Sequence, residues 1–202
     1  MKKIGEGWQY SVYDLENGRV LKRFNSWPKR FWAIVKRIFP FNRYPIWKVP
    51  SYIRRTKEKA IKSFEILESN NIQREFIGNP KRLKGLDYEQ DRLVPLHDFF
   101  AKSTLEENKK IVDKFIIFNQ NLLKLGIVDR YFNVSKNFCL NEKGEIVLTD
   151  IGELMDNKEG ILEQRKKRIW AVDYIAGCIK NKELRDYFVN QMDRSFGLNP
   201  ER

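Results

Sequence analysis

The run Gly-Glu-Ile-Val-Leu-Thr-Asp-Ile-Gly-Glu at 144–153 puts a carboxylate directly after a strand-like stretch and just before Ile-Gly. Carboxylate oxygen suits hard divalent cations, so Asp150 is a candidate metal ligand. Near the other end, Ile4-Gly5-Glu6-Gly7-Trp8-Gln9-Tyr10-Ser11-Val12-Tyr13 carries two glycines, and Val20-Leu21-Lys22 follows with a lysine on a strand. Glycine lacks a Cβ, which lets backbone amides approach phosphate oxygens closely. Between these pieces lies a polar loop, Gly126 to Phe138, containing Asp129, Arg130 and Asn137. Metal and phosphate handling is the chemistry such residues could share.

These residues need elements to hold them. Residues 8–24 alternate as strands do, and Asn17-Gly18 between two such runs predicts a hairpin whose two turn positions both take positive φ. A helix is expected over 51–69, with Ala60, Ile61, Phe64 and Leu67 on one side and Asn70-Asn71 ending it. From 72 to 100, short strands broken by Gly78-Asn79-Pro80, Gly85 and Pro95 should complete a small antiparallel sheet. Thr104-Leu105-Glu106-Glu107 is a capping-box start, and Ile111, Phe115, Phe118, Leu122 and Leu125 follow at helical spacing up to Gly126, a natural C-cap. A loop over 127–136 leads to Phe138-Cys139-Leu140, a turn at 141–144 and a strand at 145–149. Helices should fill most of 161–192. The class is α+β in two lobes, 1–98 and 99–202.

In this order the pieces resemble the protein-kinase-like superfamily over residues 4–155. Gly5-x-Gly7-x-x-Tyr10-x-Val12 is similar to the glycine-rich loop over ATP phosphates, with Tyr10 where a third glycine usually stands. The resemblance makes Lys22 the lysine on the α and β phosphates, and Glu58 or Glu65 its helix partner, with Glu65 favoured for its place beside Ile61 and Phe64. Asp150-Ile151-Gly152 resembles the Asp-Phe-Gly triplet, which would put Asp150 on Mg²⁺. The 126–138 loop resembles the His-Arg-Asp, four residues, Asn pattern, so Arg130 matches the arginine and Asn137 the metal-binding asparagine. Tyr131 replaces the catalytic Asp, Asp129 replaces the His, and the gap to Asn137 is one residue longer. Asp129 is then a candidate substitute base. Within the superfamily the chain is most similar to small bacterial kinase-like proteins of the lipopolysaccharide-core and Kdo kinase type and to the YrbL family. The resemblance implies a bilobal fold with a reduced helical C-lobe, ATP and Mg²⁺ in the cleft, and transfer to a small or lipid-linked acceptor such as an envelope glycolipid sugar. The alternative it leaves open is a pseudokinase that binds nucleotide or a partner without catalysis.

Composition narrows the classes further. Over 202 residues, 42% apolar content suffices for a core and argues against disorder. Two cysteines, Cys139 and Cys178, sit in apolar surroundings and form neither a disulfide framework nor a metal cluster. His97, the single histidine, stands near no candidate nucleophile in sequence, which disfavours Ser/His and Cys/His chemistry. No export signal is expected after Met1-Lys2-Lys3, and the apolar-rich patch at 31–41 is broken by Lys36 and Arg37.

The formal charge of +12 calls for an anionic partner. Much of it falls in a basic aromatic insert at 25–50. On a helix, Trp27, Phe31, Ile34, Val35 and Ile38 would form one stripe, with Lys29, Arg30, Lys36 and Arg37 opposite. That is the composition of a helix lying in an anionic membrane interface through 27–47, or of a stripe packed as core with solvated charges. Nucleic acid is disfavoured because no RNA-binding motif accompanies the aromatics. The expected location is cytoplasmic, peripheral at the inner face of the membrane.

Overall fold

The computed structural model describes residues 1–38, 45–70 and 72–197. It is a mixed α and β chain in two compact units, Met1–Lys62 with Gly78–Arg92, and Ser63–Ile77 with Leu93–Arg202. Residues 63–77 and 93–98, which the sequence groups with the first lobe, cluster with the second unit.

The first unit is built on a five-stranded antiparallel sheet: β1 (Lys2–Glu6), β2 (Tyr10–Asp14), β3 (Arg19–Phe24), then, after two helices, β4 (Lys81–Arg82) and β5 (Tyr88–Asp91). The strand order is β1-β2-β3-β5-β4. Tyr10 anchors the covered face, its ring edge-on to Phe24 at 5.2 Å and to Tyr88 at 5.5 Å. The β2–β3 hairpin forms, but its turn differs from the expected one: the loop spans 15–18, with positive φ at Glu16 and Gly18 rather than at Asn17. Side chains explain this. Asp14 Oδ1 accepts from Glu16 N and Asn17 Oδ1 accepts from Arg19 N, so the two acidic-amide residues fold the loop around their own backbone.

Helix α1 (Trp27–Ile38) follows β3, and α2 (Val49–Ser69) starts two residues before the expected position. Ile34 with Val49 and Ile53 forms a small core against which Trp8, Phe31 and Tyr52 pack. Along α2, Thr56, Ala60, Ser63 and Phe64 are buried, whereas Ile61 is exposed, a correction to the expected stripe. The buried hydroxyls are possible because Thr56 Oγ1 donates to the Tyr52 and Ile53 carbonyls at 3.0 and 2.9 Å, and Ser63 Oγ accepts from Leu154 N at 2.9 Å. Asn71 lies outside the described residues.

The second unit contains β6 (Val94–Pro95), α3 (Leu96–Lys102), α4 (Leu105–Lys124), β7 (Val128–Asp129), β8 (Phe138–Leu140), β9 (Ile146–Leu148), β10 (Leu154–Met155), α5 (Lys158–Lys166), α6 (Asp173–Ala176) and α7 (Lys182–Phe196). The stretch 72–100 thus differs from the expected run of strands: Arg74–Ile77 is a 3₁₀ turn and α3 begins at Leu96. Helix α4 has the expected capping box at Thr104 and Glu107, and Gly126 takes φ +75° just beyond its end. Its inner face packs Phe115 edge-on to Phe138 at 4.8 Å and against Phe188 of α7 at 5.9 Å. Strands β6-β8-β9 form one small sheet and β7-β10 another. No helix among the described residues is long and apolar enough to cross a membrane.

Candidate functional site

The polar loop after α4 is organised around Asp129. Strand β7 pairs antiparallel with β10, setting Asp129 opposite Leu154 and bringing Glu153 beside Arg130. Arg130 N donates to the Glu153 carbonyl at 3.0 Å, and the two side chains form an ion pair at 3.3 Å. Phe132 adopts φ +49°, a conformation few non-glycine residues take. Its ring is fully buried against Trp170 at 5.8 Å and Phe196 at 5.2 Å, and this packing holds the turn. The turn aims Asn133 N at Asp129 Oδ2, 3.1 Å away.

Asp129 Oδ1 accepts from Asn137 Nδ2 at 3.0 Å, so both carboxylate oxygens are engaged inside the loop. The Asn137 carbonyl in turn accepts from Thr149 N at 2.8 Å and Asp150 N at 3.1 Å. One asparagine therefore ties Asp129 to Asp150, across thirteen residues of hairpin. Asp129 is completely buried, and burial raises its carboxyl to about 7 against the lowering effect of the Asn137 and Asn133 hydrogen bonds, with the nearby Asp150 and Glu153 charges adding to the rise.

This arrangement differs from a base reaching out to an acceptor. With no exposed surface and both oxygens bonded, Asp129 orients the Asn137 amide in the conformation seen. Asp150 is only half-buried and its carboxyl carries no hydrogen bond as the cap of the following 3₁₀ turn. The donor set is carboxylate and amide oxygen, which suits a hard divalent cation. Among the described residues no group of three or more His, Cys, Asp or Glu side chains could hold a metal by itself. A pair such as Asn137 and Asp150 would need a ligand's oxygens to complete the shell.

In the first unit, Gly5 lies within β1 opposite Val12, next to a register shift, and Gly7 closes the β1–β2 hairpin by donating to Tyr10 O at 2.7 Å. Neither glycine is required by a positive φ, and an added Cβ would stop 3.4 Å from Val12 Cβ or Tyr10 O. The hairpin tip is therefore Trp8-Gln9, narrower than the sequence suggests. It is clamped by Asn25, whose Nδ2 donates to the Gly7 and Trp8 carbonyls at 2.9 and 3.2 Å and whose N donates to Gln9 O at 2.7 Å. Lys22, on β3 opposite Val12 and Tyr88, holds its ammonium 5.5 Å from the centre of the Tyr88 ring. Glu58 pairs with Arg54 on the surface at 3.8 Å. Glu65 is exposed, not on the packed side of α2.

Asn25, Asn133 and Glu153 escaped sequence reasoning. Glu153 has no local signal, since only the β7–β10 pairing brings it to Arg130; Asn133 had one, an amide four residues after a carboxylate. Of the remaining candidates, His97 and Cys139 border the loop without bonding to Asp129, Asn137 or Asp150 in the interactions shown. His97 Nδ1 lies 3.2 Å from the Ser135 carbonyl and its Nε2 3.2 Å from Asp98. Cys139 is buried and Cys178 half-buried, and neither forms a disulfide. The chain matches no protein-family model and no curated protein.

Proposed function

We propose that this chain is an ATP-dependent phosphotransferase of the protein-kinase-like type, acting on a small or membrane-associated acceptor at the cytoplasmic side of a membrane. The observation that carries the reading is the tether through Asn137, whose side-chain amide donates to Asp129 and whose backbone carbonyl accepts from Asp150 N at the base of the β8–β9 hairpin. The strand order β1-β2-β3-β5-β4, with helices inserted before β4, and the pairing of β7 with β10 around that hairpin also support it. Asn137 and Asp150 would hold Mg²⁺, and Gly5, Gly7 and Lys22 would contact phosphates. Mg²⁺ bound there would offset the negative charge of the phosphates. Asp129 keeps the Asn137 amide in one orientation, and Arg130 with Glu153 locks β7 to β10. Little proton transfer is needed early in a loose phosphoryl transition state, so positioning is the main task of such residues.

A non-catalytic nucleotide-binding role is the second reading. It is favoured by Tyr131 at the position of the family's base and by the burial of Asp129.

Thermal melting with ATP, with and without Mg²⁺, tests the site. A ligand at a hundredfold its Kd stabilises by about 2.7 kcal/mol, a readily measured shift. Asp150→Ala should remove most of the Mg²⁺-dependent part and Lys22→Ala should weaken binding. No shift with any nucleotide would remove the proposed site. If binding occurs without ATP turnover against a panel of sugar and lipid acceptors, the second reading replaces the first.

A further inference from the structure

Helix α1 is turned differently from the amphipathic arrangement its sequence suggests. Arg30, expected on the solvated side, is buried at 5% exposure, while Trp27 and Trp32 stand 48% and 60% exposed. Lys29 is spent on the hairpin, pairing with Glu6 at 2.5 Å and donating to Ser11 Oγ at 2.8 Å. Lys36 is exposed, and the side chains of Arg37 and Ile38 lie outside the described residues. The charges therefore do not oppose the aromatics. Of the described α1 cations, Arg30 alone turns in beside Trp27, and there Arg54 and Lys57 of α2 join it.

That convergence is a groove of about 670 Å³ in the first unit, lined by Trp27, Arg30, Trp47, Ile53, Arg54 and Lys57 together with Pro50 and Ser51. Three cations line it, and among the described residues no carboxylate does. Arg30 forms its inner wall. The guanidinium sits 4.4 Å above the Phe24 ring, Nη1 reaches the Ile53 carbonyl only at 3.4 Å, and Nε is buried with no hydrogen-bond partner. A buried arginine with one long hydrogen bond keeps a charge that no carboxylate among the described residues offsets, which is costly. Burial also draws the guanidinium below its ordinary pKa, the mark of a cation lacking a counter-charge. Arg54 is shared with Glu58 only through a weak surface pair at 3.8 Å. At the groove's rim Trp47 is 76% exposed, an unusual setting for an indole.

We infer that this groove seats a phosphate headgroup of an anionic membrane surface, with Arg30, Arg54 and Lys57 on the phosphate and the indoles of Trp27 and Trp47 in the interfacial layer. A free phosphate would account for the cations but leave two exposed indoles at the groove unexplained. A lipid surface accounts for both, because tryptophan favours the headgroup level and basic residues favour an anionic leaflet. The inference is independent of the phosphotransferase reading.

The test is co-sedimentation of the full chain with vesicles of phosphatidylcholine alone or containing phosphatidylglycerol. Binding should require phosphatidylglycerol, weaken with added salt, and shift the tryptophan emission to the blue. Each basic residue near such a surface is worth about fivefold in affinity, so Arg54→Gln with Lys57→Gln should weaken binding by about 25-fold. Both positions are exposed, so the fold should survive. Trp27→Ser with Trp47→Ser should abolish most of the blue shift. Three results would overturn the inference: equal binding to both vesicle types, unchanged binding by the Arg54/Lys57 double variant, or stabilisation by inorganic phosphate or preference for single-stranded RNA without vesicle binding.

Discussion

Asp129 illustrates how one side chain's surroundings decide its chemistry. In the folded chain its carboxyl rises to about 7, whereas an unperturbed aspartate titrates at 3.8. Below about pH 4 both states hold the proton and the site costs nothing. As pH climbs, the unfolded chain releases its proton first, so the native state loses relative stability until the folded carboxyl also ionises near 7. Wild type should therefore lose stability relative to Asp129→Asn between about pH 4 and 7, by on the order of 4 kcal/mol, and run parallel to it above. Urea denaturation at a series of pH values measures this. A constant difference between the two proteins across that window would mean that the carboxyl is not held protonated. Phe132, next to it, shows the complementary effect: aromatic packing maintains a backbone turn that its residue type alone would avoid.

Among the elements, the β1–β2 hairpin depends on a residue outside it. Asn25 closes the tip through two side-chain donations, accepts from Ser11 Oγ at 2.7 Å, and is buried. Lys29 and then Lys3 hold the neighbouring Glu6 carboxyl down to about 2, adding ion pairs at the same edge. Asn25→Ala would leave the Gly7 and Trp8 carbonyls and the Ser11 hydroxyl without this partner. The expected loss is about 1–3 kcal/mol. Hydrogen exchange should show it as faster exchange at Gly7 and Ser11, with α4 amides unaffected. Equal protection of the hairpin in both proteins would mean that the Trp8 packing alone holds the tip.

For the molecule as a whole, a formal charge of +12 is the dominant electrostatic fact. Self-repulsion of that size opposes compaction, and exposed charges are screened over about 10 Å at 0.1 M salt. Raising ionic strength from near zero to about 0.1 M should therefore increase the melting temperature, despite weakening surface pairs such as Arg54–Glu58. A melting temperature that falls with salt would show that ion pairs outweigh net repulsion. The same salt should weaken association with anionic vesicles, so stability and membrane binding are expected to move in opposite directions.

Local signals in the sequence determined the mixed α and β class, the capped α4, the hairpin after β2 and the strand leading to Asp150. Each of these depends on neighbours within a few residues: the Thr104 and Glu107 cap, the glycine at 126, the apolar Val20-Leu21 run of β3. Orientation was a different matter. Whether Ile61 or Thr56 faces inward, and whether Arg30 or Trp27 does, depends on which helix or sheet face arrives from elsewhere, and hydrophobicity alone favoured the wrong residue in both cases. The candidate site shows the same division. Asp150, Asn137, Arg130 and Asp129 were legible as residue types at suggestive spacing, but the burial of Asp129 and the approach of Glu153 to Arg130 required the β7–β10 pairing, a contact between segments 25 residues apart that no local pattern encodes.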